Sequence, residues 1–225
     1  MKQRLGERVA QVIVLTVISL AVEHAWSATE VVRYWYDDSG RLVTAGYVSS
    51  VTNTSAVRYD YDANGNRTNL TVLGRGDSAD RDSDAMPDVD ELAYFGDFSQ
   101  TGNGDFDGDG LANNAELPFG AVPVLYDSDS DGANDYHEWA AGTDPGNPSS
   151  LFNVVAAEAD TGHVFTVHFY SVADRTYTLQ RTDDLFFTPW TNVPGQGPRP
   201  GVNGPDSMTD TNEYPRMFFR IQVRR

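Results

Sequence analysis

Asp80-Arg81-Asp82-Ser83-Asp84-Ala85-Met86-Pro87-Asp88-Val89-Asp90-Glu91, Asp105-Phe106-Asp107-Gly108-Asp109-Gly110-Leu111-Ala112-Asn113-Asn114-Ala115-Glu116 and Asp127-Ser128-Asp129-Ser130-Asp131-Gly132-Ala133-Asn134-Asp135-Tyr136-His137-Glu138 share one spacing. Aligned as twelve-residue loops, they place an acid or amide at positions 1, 3, 5, 9 and 12. These are Asp80, Asp82, Asp84, Asp88 and Glu91; Asp105, Asp107, Asp109, Asn113 and Glu116; and Asp127, Asp129, Asp131, Asp135 and Glu138. Short Asp side chains alternating on a tight loop can converge on one point, and a longer Glu at position 12 can reach back with both oxygens. That is the donor set a hard cation such as Ca2+ takes, with six to eight oxygen ligands, one of them the position 7 carbonyl of Met86, Leu111 or Ala133. Position 6 needs a sharp bend, which Gly110 and Gly132 allow. Ala85 in the same conformation costs about 1 to 2 kcal/mol, so the first site is expected to be the weakest or differently shaped.

Charge works in the same direction. The 225-residue chain carries a formal net charge of -17. Between Asp77 and Asp144 lie eighteen acids against Arg81 alone, so this segment holds the whole excess. A concentrated negative field repels phosphate and attracts cations, which excludes nucleic acid and makes calcium ions the first partner. A disordered acidic linker would have the same composition. However, Tyr94, Phe95, Phe98, Leu111, Phe119, Leu125, Tyr126 and Trp139 recur beside the loops, an apolar spacing that a solvated charge run does not need. Position 8, aliphatic in EF-hands and dockerins, is Pro87, Ala112 or Asn134, and Gly74 to Gly76 and Gly102 to Gly104 are poor helix starters. The segment from Asp80 to Ser150 resembles bacterial thrombospondin type 3 repeats, including Gly142-Thr143-Asp144-Pro145 after the last loop. The resemblance implies short loops and single helical turns on a string of ions, a spacer without chemistry of its own.

Lys2, Arg4 and Arg8, the apolar run from Val9 to Val22 and the small residues around Ala25-Trp26-Ser27 read as a secretory signal over residues 1–27. The apolar run of fourteen residues is shorter than the about 20 that span hydrocarbon, so the mature chain, starting near Ala28, is expected to have no transmembrane segment. Export then places the protein in the medium or at the cell surface. In the next segment, 28–74, Val32-Arg33-Tyr34-Trp35-Tyr36-Asp37-Asp38-Ser39-Gly40 recurs 25 positions later as Val57-Arg58-Tyr59-Asp60-Tyr61-Asp62-Ala63-Asn64-Gly65, six of nine residues identical. Period-2 alternation before Ser39-Gly40 and Asn64-Gly65 predicts two β-hairpins. Residues 32–68 resemble the YD-repeat (Rhs) family through Tyr36 to Leu42 and Tyr61 to Arg67. Two repeats cannot close the large shell that dozens form, so a short β-module or the remnant of a longer array is expected.

The segment 151–225 alternates apolar residues at Phe165, Val167 and Phe169, at Tyr177 and Leu179, and at Met217, Phe219, Ile221 and Val223, which predicts a small β-sandwich-like domain. Pro194 to Pro205 reads as a long loop. The segment resembles the β-modules that follow such calcium repeats in large environmental bacterial proteins, through Tyr177 to Leu179, Trp190 and Phe219-Arg220. Trp190, Phe186 and Phe187 are read as core in preference to a sugar-stacking platform. The chain as a whole is thus expected to be mainly β, with an irregular calcium-loop segment at 77–150. No Gly-x-Ser-x-Gly elbow, phosphate-binding Gly loop, second His after His137-Glu138 or Cys-His pair is present, and the clustered acids already have a metal role, so no catalytic activity is expected. The reading is a calcium-binding structural or adhesion module whose partner is a cell-surface protein or polysaccharide. The competing reading is a dockerin-like or carbohydrate-binding docking protein.

Overall fold

The computed structural model describes residues 10–15, 30–51, 53–74, 76–159, 164–212 and 217–225, and divides into two compact units, Met1–Tyr126 and Asp127–Arg225. The described residues are mainly β, in antiparallel sheets, with three helices of seven residues each. None of these helices is long and apolar enough to cross a membrane.

In the N-terminal unit, β1 (Ala10–Leu15), β2 (Glu30–Tyr36), β3 (Leu42–Ser50), β4 (Asn53–Tyr61) and β5 (Arg67–Leu73) form one antiparallel sheet in chain order. β1 lies in the apolar run of the expected signal and pairs with β2, Leu15 opposite Glu30 and Ala10 opposite Trp35. The two repeated motifs are the β2-β3 and β4-β5 hairpins, and one aspartate builds each turn. Asp37 Oδ1 accepts the Ser39 and Arg41 N–H groups at 3.0 and 2.9 Å, and Oδ2 accepts Arg41 Nε at 2.7 Å. Asp62 repeats this with Asn64 and Asn66 N–H at 2.9 and 2.8 Å and Asn66 Nδ2 at 3.0 Å. Such Asx-type bonding fixes a turn locally, and Gly40 and Gly65 supply its positive φ of 74° and 85°.

Helices α1 (Asp88–Tyr94) and α2 (Asn113–Phe119) follow the first two acidic loops. α1 packs on β3 and β4. Its approach requires Gly46, where a Cβ would stand 2.6 Å from the Ala93 Cα, and Gly96, where one would enter the Trp35 ring. Thr44 Oγ1 donates to the Gly96 carbonyl at 2.7 Å. One core joins Val48 of the sheet to Met86, Ala93, Tyr94, Phe95 and Leu117, and a second joins Ala56 and Leu73 to Val89 and Leu92. Burying a side chain the size of Met86 or Leu92 stabilises by about 1.5 to 3 kcal/mol, so the hairpins and the first two loops fold as one body. The segments 28–74 and 77–150 are therefore not separate units: the first is fused to loops 1 and 2, while loop 3 belongs to the C-terminal unit.

That second unit comprises α3 (Asp135–Ala141), β6 (Val154–Ala159), β7 (Phe165–Ser171), β8 (Thr176–Thr182), β9 (Thr191–Asn192), β10 (Arg199–Pro200), β11 (Gly204–Asp210) and β12 (Phe218–Arg224). One sheet has the order β11-β7-β6, and the other β10-β8-β12 with β9 on β8. Val167 and Phe169, Tyr177 and Leu179, and Met208 meet in one core, with Phe165 stacked on Phe219 at 4.2 Å. The stretch read as a loop, Pro194 to Pro205, contains β10 and the first residues of β11. The core reading of Phe186 and Phe187 fails: they are 88% and 89% exposed. Asp184 Oδ1 accepts both their N–H groups, at 2.7 and 3.2 Å, in a turn with no strand partner to fold them inward. Trp190 is half-buried beneath Arg220, whose guanidinium lies 4.4 Å from the ring centroid.

Candidate metal centres

Each acidic loop builds itself from its own side chains. The position 1 aspartate ties the bend: Asp80 Oδ1 accepts Ser83 N–H at 2.7 Å and Oδ2 accepts Ala85 N–H at 3.1 Å. Asp105 does the same with Gly108 and Gly110 at 2.8 and 3.1 Å, and Asp127 with Ser130 and Gly132 at 2.7 and 2.9 Å. Positions 4 and 6 both take left-handed backbone, at Ser83, Gly108 and Ser130 and at Ala85, Gly110 and Gly132, with φ between 62° and 104°. The bend expected at position 6 is thus a double bend, and Ala85 adopts it at φ 73°. Position 5 then accepts the position 7 N–H through one oxygen: Asp84 from Met86, Asp109 from Leu111 and Asp131 from Ala133, at 2.9, 2.6 and 2.8 Å.

These bonds leave the carboxylates of positions 1, 3 and 5 facing one another. Ligand oxygens of Asp80, Asp82 and Asp84 lie within 4.8 Å of one another, as do those of Asp105, Asp107 and Asp109, and of Asp127, Asp129 and Asp131. Each of these acidic groups could hold a metal ion. Position 12 is buried in every loop: Glu91 and Glu116 are 0% exposed and Glu138 1%. Burial foremost, then repulsion from Asp82, Asp84, Asp88 and Asp80, pushes the Glu91 carboxyl up to about 8. Burial likewise pushes Glu138 up to about 7; a bond from Thr143 opposes this, while Asp129, Asp131 and Asp135 add to it. Both Glu91 oxygens, Glu138 Oε2, and the Oδ2 atoms of Asp129 and Asp131 are buried with no hydrogen-bond donor. Such groups cost several kcal/mol unless something positive or donating meets them, and an oxygen-seeking cation is the partner that fits all-carboxylate donors.

Position 9 has a different place. Asp88, Asn113 and Asp135 each turn Oδ1 back to the position 2 N–H, of Arg81, Phe106 and Ser128, at 2.9, 3.0 and 2.9 Å. Asn113 Nδ2 donates to the Thr101 carbonyl, and Asp88 Oδ2 lies 2.8 Å from Arg81 Nε. These residues close the loops and open the helices, and the carboxylate clusters consist of positions 1, 3 and 5. Position 8, lacking the aliphatic residue of paired EF loops, is the helix N-cap at Pro87, Ala112 and Asn134. Asn134 Oδ1 there accepts His137 N–H at 2.9 Å.

Loop 1 differs from the other two beyond its alanine. Asp84 Oδ2 accepts the Gly102 N–H, and the Asp84 carbonyl accepts Asn114 Nδ2 at 3.3 Å, so one residue just before loop 2 and one within it grip loop 1. Gly102 has no alternative, because a Cβ there would sit 2.2 Å from the Asp84 carbonyl oxygen. Loop 3 is braced within its own unit by Arg175, whose Nη2 donates to the Trp139 carbonyl at 2.7 Å, while Arg225 lies over the Trp139 ring at 4.5 Å.

No known protein family, curated protein or solved structure matches the chain.

Proposed function

We propose that the chain is an exported, non-catalytic calcium-binding module in which the ions hold the acidic loops folded so that the flanking sheets form a structural or adhesive element at the cell surface or in the medium. The observation that carries the reading is Glu91, fully buried, with both carboxylate oxygens undonated and four aspartates beside it. Asp80, Asp82 and Asp84 with Glu91, Asp105, Asp107 and Asp109 with Glu116, and Asp127, Asp129 and Asp131 with Glu138 would hold one ion each. Calcium would supply positive charge to carboxylates that otherwise repel one another. The chain's own backbone turns orient those carboxylates, and position 9 shuts each loop.

The regular loop, double bend, short helix and following Gly120 or Gly142 in left-handed conformation support the likeness to thrombospondin type 3 repeats. The paired Asp37 and Asp62 turns support a YD-repeat origin for the hairpins. The two C-terminal sheets with a shared core support a sandwich-like module. Calorimetric titration of the chelator-stripped protein tests the reading, with three calcium equivalents expected at dissociation constants of about 0.1 to 1 mM, the range of extracellular modules. Limited proteolysis accompanies it. Equal resistance between Asp80 and Glu138 in chelator and in millimolar calcium would overturn the reading.

A further inference from the structure

A cavity of about 380 Å3 opens in the N-terminal unit between the sheet, loop 1 and α2. Its floor includes the buried Val89 and Leu117, and its rim the exposed Ser78, Ala85 and Pro118. Two acids line it, Asp77 and Asp90, and no Lys, Arg or His among the described residues does. Asp90, half-buried at the cavity wall, accepts the Thr54 hydroxyl through Oδ1 at 2.5 Å and has no ion pair among the described residues. Neither acid belongs to a metal cluster.

We propose that this cavity receives a basic side chain, Arg or Lys, from a partner protein. An apolar floor with a carboxylate on its wall matches a side chain that carries its charge on a methylene stem: the stem covers Val89 and Leu117 and the cation pairs with Asp90. The volume is at the small end for ligand pockets and exceeds one side chain, so a neighbouring residue of the partner also fits. The exposed rim leaves one end of any occupant outside, as a side chain attached to a polypeptide requires. Between Asp77 and Tyr126, within this unit, twelve acids stand against Arg81 alone, a surplus that two bound calcium ions reduce but do not cancel and that steers a basic surface toward the unit. The inference rests on the proposed calcium reading in one respect: Ala85 and Leu117 keep their places through loops 1 and 2, so the site should weaken in chelator.

The test is an NMR titration of the full calcium-loaded chain with acetyl-Gly-Arg-Gly-amide, its norleucine analogue and agmatine. Saturable shifts at Ala85, Val89 and Leu117 are expected with the arginine peptide, and at least tenfold weaker binding with the norleucine analogue. Asp90→Asn should weaken the arginine peptide tenfold or more. Ser78→Arg, at an exposed position that leaves the core intact, should do the same by placing a tethered cation at the mouth. Calcium stoichiometry read on the same samples separates the two readings: three ions bound without peptide shifts overturns the docking site alone. Equal binding of the norleucine analogue overturns the cation preference, and equal binding of agmatine overturns a protein source in favour of a small free amine.

Discussion

Glu91→Gln should make the calcium-free protein more stable and the calcium response smaller. In the ion-free fold, burial beside Asp80, Asp82, Asp84 and Asp88 holds the Glu91 carboxyl up at about 8, against about 4.5 when exposed. Between those values the folded state binds more protons than the unfolded one, so stability is fully present below about pH 4.5 and is lost as pH rises toward 8. Each unit is about 1.4 kcal/mol, so ionising Glu91 costs the ion-free fold on the order of 4 kcal/mol at pH 8. Glutamine resembles the protonated acid in shape and avoids that cost. For a unit of this size, 4 kcal/mol corresponds to roughly 15 to 20 °C in melting temperature.

The assay is thermal unfolding of both proteins in chelator at pH 5 and pH 8, and again in calcium. In chelator the variant should melt higher at pH 8, and the two should converge at pH 5, where wild-type Glu91 is protonated. In calcium at ten times the dissociation constant, wild type gains about 1.4 kcal/mol from the loop 1 ion that the variant cannot close around, so the gap narrows. Calorimetry should count one ion fewer in the variant. Equal melting in chelator at pH 8, or an unchanged ion count, would refute the placement of Glu91 beneath the loop 1 aspartates.

Asp107→Ala with Asp109→Ala should remove one calcium equivalent, weaken loop 1 through the Gly102 and Asn114 bonds to Asp84, and leave loop 3 unchanged, as read by calorimetric titration. Ala85→Gly should stabilise the calcium-loaded chain by about 1 kcal/mol and tighten loop 1, because glycine adopts φ 73° without the Cβ penalty. Gly46→Ala should destabilise the N-terminal unit by about 1 to 3 kcal/mol in chemical denaturation, since its methyl meets the α1 backbone at 2.6 Å. Mass spectrometry of the exported protein should find an N-terminus within a few residues of Ala28.

The loops were legible because their chemistry is local. Asp at positions 1, 3 and 5 and Glu at 12 follow from what an oxygen-ligated ion needs; the structure brings the three aspartates together in every loop and sets Glu91 and Glu138 within electrostatic reach of theirs. The left-handed turn at position 4 was not legible, because Ser83 and Ser130 occupy it where only Gly108 would announce it. Position 9 reads as a ligand by residue type, yet its side chain is within reach of the position 2 N–H, and that short-range bond takes it. The hairpins were legible from the repeat. Their fusion to loop 1 was not: the contacts that decide it, Gly46 on Ala93 and Trp35 on Gly96, pair residues 47 and 61 positions apart and leave no periodic signal.

That fusion changes what calcium controls. If the acidic segment were an independent string of loops, losing its ions would release a flexible linker and leave both sheets standing. Instead Met86, Val89 and Leu92 lie in or just after loop 1 and complete the cores of the hairpin sheet. A two-repeat antiparallel sheet with Leu70 and Val72 exposed on its last strand buries too little by itself to fold securely. The hairpins should therefore depend on calcium although they contribute no ligand to it. In the C-terminal unit the two sheets have their own core, formed without loop 3 residues, and α3 is attached through Arg175 and Arg225 to the outside of it. Chelation should thus lower the melting temperature of the N-terminal unit as a whole, hairpins included, while the C-terminal sheets keep theirs and loop 3 frays from them.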